Sequence, residues 1–443
     1  MTAERQAGRA ERGDRGLSRP AGRDRRTSLE PGRGERLAQR PGSRRRVAAV
    51  ALAMALALVT SACGSGGGNT AVSGSSRVTT PAADLGARLR PGITAVMRDL
   101  AIPGAVVLVR TPTQQYREAF GTRVVGTDNP VQVGDHFRVG SNTKTMTGTV
   151  VLQLVQEGRM ALSDPISKYR PEVPNGANIT IAQMLEMRSG LHNYSELESF
   201  NRILDQNPTK AWRPEELVAL GLAQASYFPP GRGYHYSNTN TVLLGLVVEQ
   251  LTGRPLEEVF RDRIFVPMGM QNSLLPPIAS NAIPDPHPHG YLFGSNVSTL
   301  TNPALPPNQQ TAARNGSLLP NDVTDLDPSW AWAAGGVTST ADDLATYVKP
   351  LVVGGLLDPD LQKQRRNSLT PVNPSDPNTA LYGLALAKLG PMIGHDGSLP
   401  GYQSFMGYDP DRGNTLIVLA NLQNAPDGTM AANEIAKRII AQL

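Results

Sequence analysis

Apolar residues recur at helical spacing at the start of the first patterned stretch. Leu85, Leu89, Ile93, Val96 and Met97 fall on one face and predict a helix over 84–100. Pro91 within it predicts a kink or a restart. Apolar stretches at 105–110 and 116–120 predict two strands of a hairpin, and 136–139 a short strand running into Gly140 and Ser141. A helix is predicted from about 141 to 157, with Gly158 past its end. Thr143, Thr145, Thr147 and Thr149 are poor helix formers in series, so this helix must be held by burial between two lobes. From 161 to 329 the pattern becomes helical segments, clearest at 181–187, 214–223 and 241–251, separated by long Pro/Gly/Asn loops. Tyr236 to Asn238 are expected in a loop just before the last of these. After Trp332, Thr340 is predicted to cap a helix with Asp342 and Asp343 in its first turn. Strands follow at 381–389 and 392–396. A hairpin of 403–408 and 415–419 is closed by Asp409-Pro410-Asp411-Arg412-Gly413, and an amphipathic helix spans 430–443. Terminal helices, a split antiparallel sheet and a helical insertion predict an α+β sandwich with an all-α lobe. Residues 83–160 and 330–443 would form the first part and 161–329 the second.

Composition separates the front of the chain from this domain. Residues 1–46 hold fourteen arginines, six acidic residues and no lysine, with too little apolar surface to offset ordering entropy. A nucleic-acid-binding arm is one reading. A basic flank before an export signal, or an upstream stretch that is not translated, fits the next segment better. Residues 47–62 are sixteen apolar or small residues, predicting a signal peptide too short for a membrane span of about 20 residues. Val59-Thr60-Ser61-Ala62-Cys63 resembles a bacterial lipoprotein cleavage box, with an unusual threonine. Processing there would leave Cys63 lipidated; ordinary cleavage near Ala62 is the alternative. Cys63 is the only cysteine, which excludes a disulfide within the chain. Residues 64–82 read as a Gly/Ser/Thr-rich tether ahead of a domain over 83–443. The arginine excess of the leader exceeds the whole chain's +5, so the remainder is net acidic and argues against a nucleic-acid partner. The expectation is an exported monomer, held on the outer face of the cell membrane as a lipoprotein or secreted.

Three short patterns carry candidate chemistry, each occurring once and in this order: Ser141-x-x-Lys144, Tyr236-x-Asn238 and His395-x-Gly397. A serine hydroxyl is a weak nucleophile until a neighbouring base takes its proton. A lysine can be that base only when desolvation or a nearby cation lowers its pKa. One helical turn sets Ser141 and Lys144 on one face, and a helix N-terminus offers N–H groups to a developing oxyanion. Clustering of Lys144, His395 and Tyr236 would favour a neutral Lys144 and an ionised Tyr236. His287-Pro288-His289 invites a metal reading, but no clustered cysteine or acidic ligand accompanies it, and a loop is preferred. No metal and no cofactor are expected. His192 reads as structural, and Trp330 and Trp332 as packing between lobes or lining a cleft. No G-x-S-x-G elbow, phosphate-binding loop or dinucleotide fingerprint appears.

With these motifs, the chain from about residue 83 to its end resembles the serine β-lactamase and D-alanyl-D-alanine carboxypeptidase superfamily, in its class C β-lactamase-like branch. S-x-x-K is the nucleophile motif known for that group. Phe137-Arg138-Val139-Gly140-Ser141, Arg188-Ser189-Gly190-Leu191, Pro229-Pro230-Gly231 and Ala334-Gly335-Gly336-Val337-Thr338-Ser339-Thr340 extend the likeness. The resemblance implies Ser141 as acylated nucleophile, Lys144 as the group that takes its proton or sets its pKa, and Tyr236 as proton relay. Asn238 would position Lys144 and the substrate amide, and His395 would stand where many relatives carry lysine. Gly397 would let substrate lie along the strand, and the N–H groups of Ser141 and Ser398 would form an oxyanion hole. Two departures bear on substrate. The run Tyr382-Gly383-Leu384-Ala385-Leu386-Ala387 lacks the arginine that binds a terminal carboxylate in the D,D-carboxypeptidase, and Asp396 replaces the usual Thr or Ser. Both favour ester, amide or amine-bearing substrates. The implied reaction is carboxypeptidase- or β-lactamase-like amide hydrolysis of a small molecule, a peptidoglycan stem peptide or a β-lactam. An S-x-x-K carboxylesterase is the second reading, and a binding module with the same fold the third.

Overall fold

The structure, a computed structural model, describes residues 84–376 and 378–443. The arginine-rich leader, the apolar run with Cys63 and the tether lie outside the described residues. Twelve strands are found among them. In chain order they are β1 (Gly104–Arg110), β2 (Gln115–Gly121), β3 (Phe137–Arg138), β4 (Tyr291–Leu292), β5 (Asn321–Asp322) and β6 (Thr338–Ser339). They continue with β7 (Thr370–Pro371), β8 (Leu381–Gly383), β9 (Leu386–Leu389), β10 (Met392–Leu399), β11 (Tyr402–Asp409) and β12 (Asn414–Ala420). Eight of them form one antiparallel sheet in the order β2-β1-β12-β11-β10-β9-β8-β7. β3 pairs with β6, and β4 with β5.

Alternation along β1 explains the layers. Ala105, Val107 and Val109 pack against the terminal helices Leu85–Asp99 and Ala431–Ile440. Val106 and Leu108 join the larger core shared with the helical insertion. Both faces are covered, which is why β1 and β12 read as continuous apolar runs. Pro91 does not restart the first helix, which runs unbroken over Leu85–Asp99 from an Asp84 cap.

Two expectations are corrected near the cleft. The stretch 381–389 is two strands, not one. Ala385 takes a φ of +49°, and its N–H turns to donate to Leu185 O at 3.1 Å. The buried Arg365 fastens this bend to the nucleophile helix. It donates to the carbonyls of Leu384, Ala385 and Thr145, each at 3.1 Å, and to Thr149 Oγ1 at 2.8 Å. The second correction concerns the helix after Tyr236, which spans Asn238–Thr252, so Asn238 is its first residue and not a loop residue. Its polar opening, Asn238-Thr239-Asn240-Thr241, hid that first turn from an apolar pattern.

Candidate active site

The nucleophile sits where a tight turn is pressed onto β10. Ser141 lies in a 3-10 turn, Gly140–Asn142, that leads into the helix Thr143–Gln156, so it precedes the α-helix instead of opening it. Gly140 has φ +54°, and a Cβ there would come within 2.7 Å of Ser398 N. A Cβ on Gly397 would meet Val139 O at 2.0 Å and Ser404 Oγ at 2.5 Å. Gly397 is therefore small to admit the nucleophile turn. Asn142 Nδ2 donates to Ser404 Oγ at 2.7 Å, and Ser404 Oγ donates to Val139 O at 2.7 Å, pinning the turn to β11. β10 pairs with β11 over Ile393–Leu399 but with β9 only over Met392–Gly394. Among the described residues, the opposite edge of β10 from His395 onward thus carries no strand.

Lys144 is fully buried in the helix that follows. Its Nζ lies 2.6 Å from Asn238 Oδ1, 2.6 Å from Ala334 O and 3.2 Å from Ser141 Oγ. Burial holds its pKa well below the ordinary lysine value, opposed by the Asp396 charge. A neutral amine has two N–H donors and one lone pair. Asn238 Oδ1 and Ala334 O accept the two donors, which leaves the lone pair for the Ser141 hydroxyl. The threonines of this helix satisfy their hydroxyls within the helix and across to the next layer: Thr145 donates to Asn142 O at 2.7 Å, and Thr147 to Ala333 O at 2.6 Å.

Tyr236 stands across the cleft, with Lys144 Nζ 4.8 Å from its ring centre. Burial pushes its phenol well above the ordinary tyrosine value, only partly offset by the Ser141 hydroxyl. Burial therefore runs against the expectation of an ionised Tyr236 and favours the neutral phenol. Its buried hydroxyl lies near that of Ser141 and has no other partner among the described residues. Asn238 is held from behind. Its Nδ2 donates to Ser195 Oγ at 2.9 Å, its N–H donates to Asn193 Oδ1 at 3.1 Å, and Ser195 Oγ donates to Asn193 Oδ1 at 3.0 Å. This amide positions Lys144 through Oδ1, and its Nδ2, which carries two N–H groups, gives one of them to Ser195.

His395 is nearly inaccessible, at 3% exposure. Nδ1 faces Asp396 O at 2.6 Å, a pure acceptor, so Nδ1 carries the proton in the neutral ring. Nε2, 3.1 Å from Tyr382 Oη, then accepts from that hydroxyl. Tyr382 in turn packs edge-on against Tyr236, with ring centres 6.0 Å apart. His395 is placed as a positioning group whose two nitrogens are already bonded within the protein. Asp396 Oδ2 accepts from Asn433 Nδ2 at 2.8 Å. Burial would raise the Asp396 carboxyl, but His395 and Asn433 outweigh it and hold it below the usual range.

Residues outside the motifs fall into place around this cluster. Tyr382, Asn193, Ser195 and the Ala334 carbonyl escaped the sequence reading. Only Ala334 carried a signal, within the Ala334-Gly335-Gly336 stretch. His287 and His289 face different carboxylates, Asp285 at 3.1 Å and Asp322 at 2.6 Å. His192 stacks on Tyr227, with centres 4.6 Å apart. Trp330 and Trp332 are buried in the larger core, and no part of the cleft geometry described above rests on them.

The fold and this cluster define a serine hydrolase of β-lactamase/transpeptidase-like architecture. The family model for Beta-lactamase matches residues 89–439, and the chain belongs to that family. It is similar to penicillin-binding protein 4* of Bacillus subtilis (strain 168), with 24% identity over 73% of this chain and 69% of that protein. Among solved structures, a D-stereospecific amidohydrolase from Streptomyces sp. superposes with a TM-score of 0.68 and 29% identity, covering 80% of this chain and 99% of the other. The D-amino acid amidase of Ochrobactrum anthropi SV3, solved with D-phenylalanine, gives 0.65 and 24%, over 80% and 98%.

Proposed function

We propose that the protein is an exported serine amidohydrolase that cleaves an amide whose acyl half is a D-residue, through an acyl-enzyme at Ser141. The observation that carries this reading is the buried Lys144 amine, 3.2 Å from Ser141 Oγ with its other partners both acceptors. Lys144 takes the hydroxyl proton as Oγ adds to the substrate carbonyl. The N–H groups of Ser141 and Ser398 receive the oxyanion; losing one such donor typically costs about 2.7–4 kcal/mol. The neutral Tyr236 phenol gives its proton to the departing nitrogen, and the Lys144 ammonium restores it. Water then attacks the ester by the reverse route, freeing the acid and Ser141. The likeness to the Streptomyces amidohydrolase supports amide over ester. The apolar run and Cys63 support export, with attachment through a lipid if Cys63 is modified.

Intact mass and turnover test this together. The protein is incubated with D-phenylalaninamide, a penicillin, a chromogenic cephalosporin and a p-nitrophenyl ester. Ammonia release from the amide, or a penicillin adduct, that is absent in Ser141→Ala supports the reading. Turnover confined to the p-nitrophenyl ester reassigns the protein as an esterase. No adduct and no turnover with any probe leaves a binding module.

A further inference from the structure

Glu196 bonds neither Lys144 nor Tyr236, yet it ties together what holds them. Tyr236 is carried on residues 223–237, which form no helix or strand between the helices Pro214–Leu222 and Asn238–Thr252. The backbone of this loop is fastened to one neighbouring segment. The N–H groups of Tyr227, Gly231 and His235 donate to Gly190 O at 2.8 Å, Arg188 O at 2.8 Å and Met187 O at 3.0 Å. Glu196 adds two side-chain ties. Tyr227 Oη donates to its Oε2 at 2.7 Å, and His235 Nε2 lies 3.1 Å from each of its oxygens. A carboxylate only accepts, so Nε2 carries a proton. The Tyr227 ring is stacked between His235, with centres 3.6 Å apart, and His192. One carboxylate thus grips the loop near its start and again at the residue before Tyr236.

The same carboxylate governs Asn238. Asn193, 4% exposed, donates Nδ2 to Glu196 Oε1 at 3.1 Å, and its N–H donates to Tyr227 Oη at 3.2 Å. The bond to Glu196 selects the orientation in which Asn193 Oδ1 faces the Asn238 N–H and Ser195 Oγ. Turned over, the Asn193 amide would set its own N–H groups against the Asn238 N–H, donor against donor. The Glu196 side chain keeps 44% of its surface exposed. Burial would raise its carboxyl, but its bonds to His235, Tyr227 and Asn193 outweigh this and hold it below the usual range, so it is ionised at neutral pH.

We propose that Glu196 is a positioning residue for the proton transfer: its carboxylate fixes in one geometry the loop bearing Tyr236 and the Asn238 amide that holds Lys144. This rests on the acyl-enzyme reading, in which both groups serve Ser141.

The test compares wild type with Glu196→Ala and Glu196→Gln, and takes Glu198→Ala, which breaks only an exposed pair with Arg202, as the control. With D-phenylalaninamide or the p-nitrophenyl ester, whichever is turned over, Glu196→Ala should lower kcat by about tenfold or more and change KM by less than about threefold, as displaced catalytic groups do. Glu196→Gln keeps one acceptor oxygen and loses the other, so its kcat should fall between the two. Glu198→Ala should match wild type. A second readout needs no turnover. Amide hydrogen exchange over residues 223–240 should quicken by about tenfold in Glu196→Ala, while β10, β11 and β12 keep the wild-type rate. Wild-type kcat in Glu196→Ala, or a loss that falls on KM alone, overturns the positioning role. So does exchange that is unchanged over 223–240, or that quickens throughout the domain, since Glu196 would then only support the fold. Local quickening in a protein whose wild type acylates with no probe would sink the acyl-enzyme reading and keep Glu196 as the fastening of the loop.

Discussion

At the scale of single residues, the site is a set of hydrogen-bond assignments that work only if Lys144 is neutral. That state has a thermodynamic signature with a definite sign. The unfolded lysine titrates near 10.4, and the native one well below it because it is buried. Between those two values the unfolded chain binds a proton that the native protein does not, so this group makes stability rise with pH. Lys144→Met lacks the effect. The unfolding free energy of wild type should therefore gain on that of Lys144→Met as pH climbs towards 10, by at most about 1.4 kcal/mol per pH unit, as read from denaturant melts. A gap that stays flat from neutrality to pH 10 would mean that the native amine is charged. The rate of acylation should rise with pH through the same depressed pKa. Tyr382 offers a second residue-scale test. Tyr382→Phe keeps the ring against Tyr236 but removes the donor to His395 Nε2. The expected outcome is a loss of about 1 kcal/mol in a thermal melt and a fall of roughly tenfold in kcat with KM little changed. Wild-type kinetics in this variant would show that the His395 orientation does not depend on that bond.

At the scale of elements, the active site depends on how closely the nucleophile turn can approach β10, and that is a steric matter. Gly397→Ala places a methyl 2.0 Å from Val139 O, so either the turn or the strand must yield. We expect a destabilisation of about 1–3 kcal/mol and kcat/KM reduced by at least about a hundredfold. Gly134→Ala is the control, because nothing lies within 4 Å of its added methyl. Near-wild-type activity in Gly397→Ala would place the nucleophile farther from β10 than described. The same closeness separates what was legible in the sequence from what was not. Ser141, Lys144, Tyr236, Asn238 and His395 were readable as a group because few residues of each type fit such spacings. The threonine-rich helix was readable as buried because nothing in its propensity could sustain it alone. The bend at Ala385 was not, since it is imposed by Leu185 and Arg365 from outside an unbroken apolar run. Tyr236 was read as ionised because a lysine and a histidine suggested attraction. The burial that raises its pKa arises from the tertiary fold and leaves no sign in the motif. A backbone acceptor such as Ala334 O is marked only indirectly, by the Gly335-Gly336 pair that follows it.

At the scale of the described domain, the catalytic edge and the outer layer of terminal helices share one strand system. Ile435 and Ile439 of the last helix are fully buried, with Ala431, Ala432 and Ala436, against Phe405, Leu416, Val418 and Ala420. The same helix donates Ala432 N–H to Gln403 Oε1 at 2.6 Å and sends Asn433 to Asp396. Removing residues 431–443 would delete both isoleucines and expose Phe405, Leu416 and Val418 on the sheet face they cover. At about 1.5–3 kcal/mol for each large side chain, that is comparable to the whole stability of a typical domain, 5–15 kcal/mol. The chain ending at residue 430 should therefore be aggregated or dye-binding in solution, with no acylation at Ser141, although every catalytic side chain remains in it. A size-exclusion profile with a fluorescent hydrophobic dye checks the first expectation, and intact mass after incubation with a penicillin or p-nitrophenyl ester the second. A truncated chain that runs as a compact species and is acylated at the wild-type rate would show that the cleft is held by the insertion side alone. In that case Asp396 would keep its orientation without Asn433, and the terminal helices would be separable from catalysis. The shared strands argue otherwise, because β11 carries Ser404, which holds the nucleophile turn, between Gln403 and Phe405, which meet the last helix. Loosening one face of that strand cannot leave the other in register.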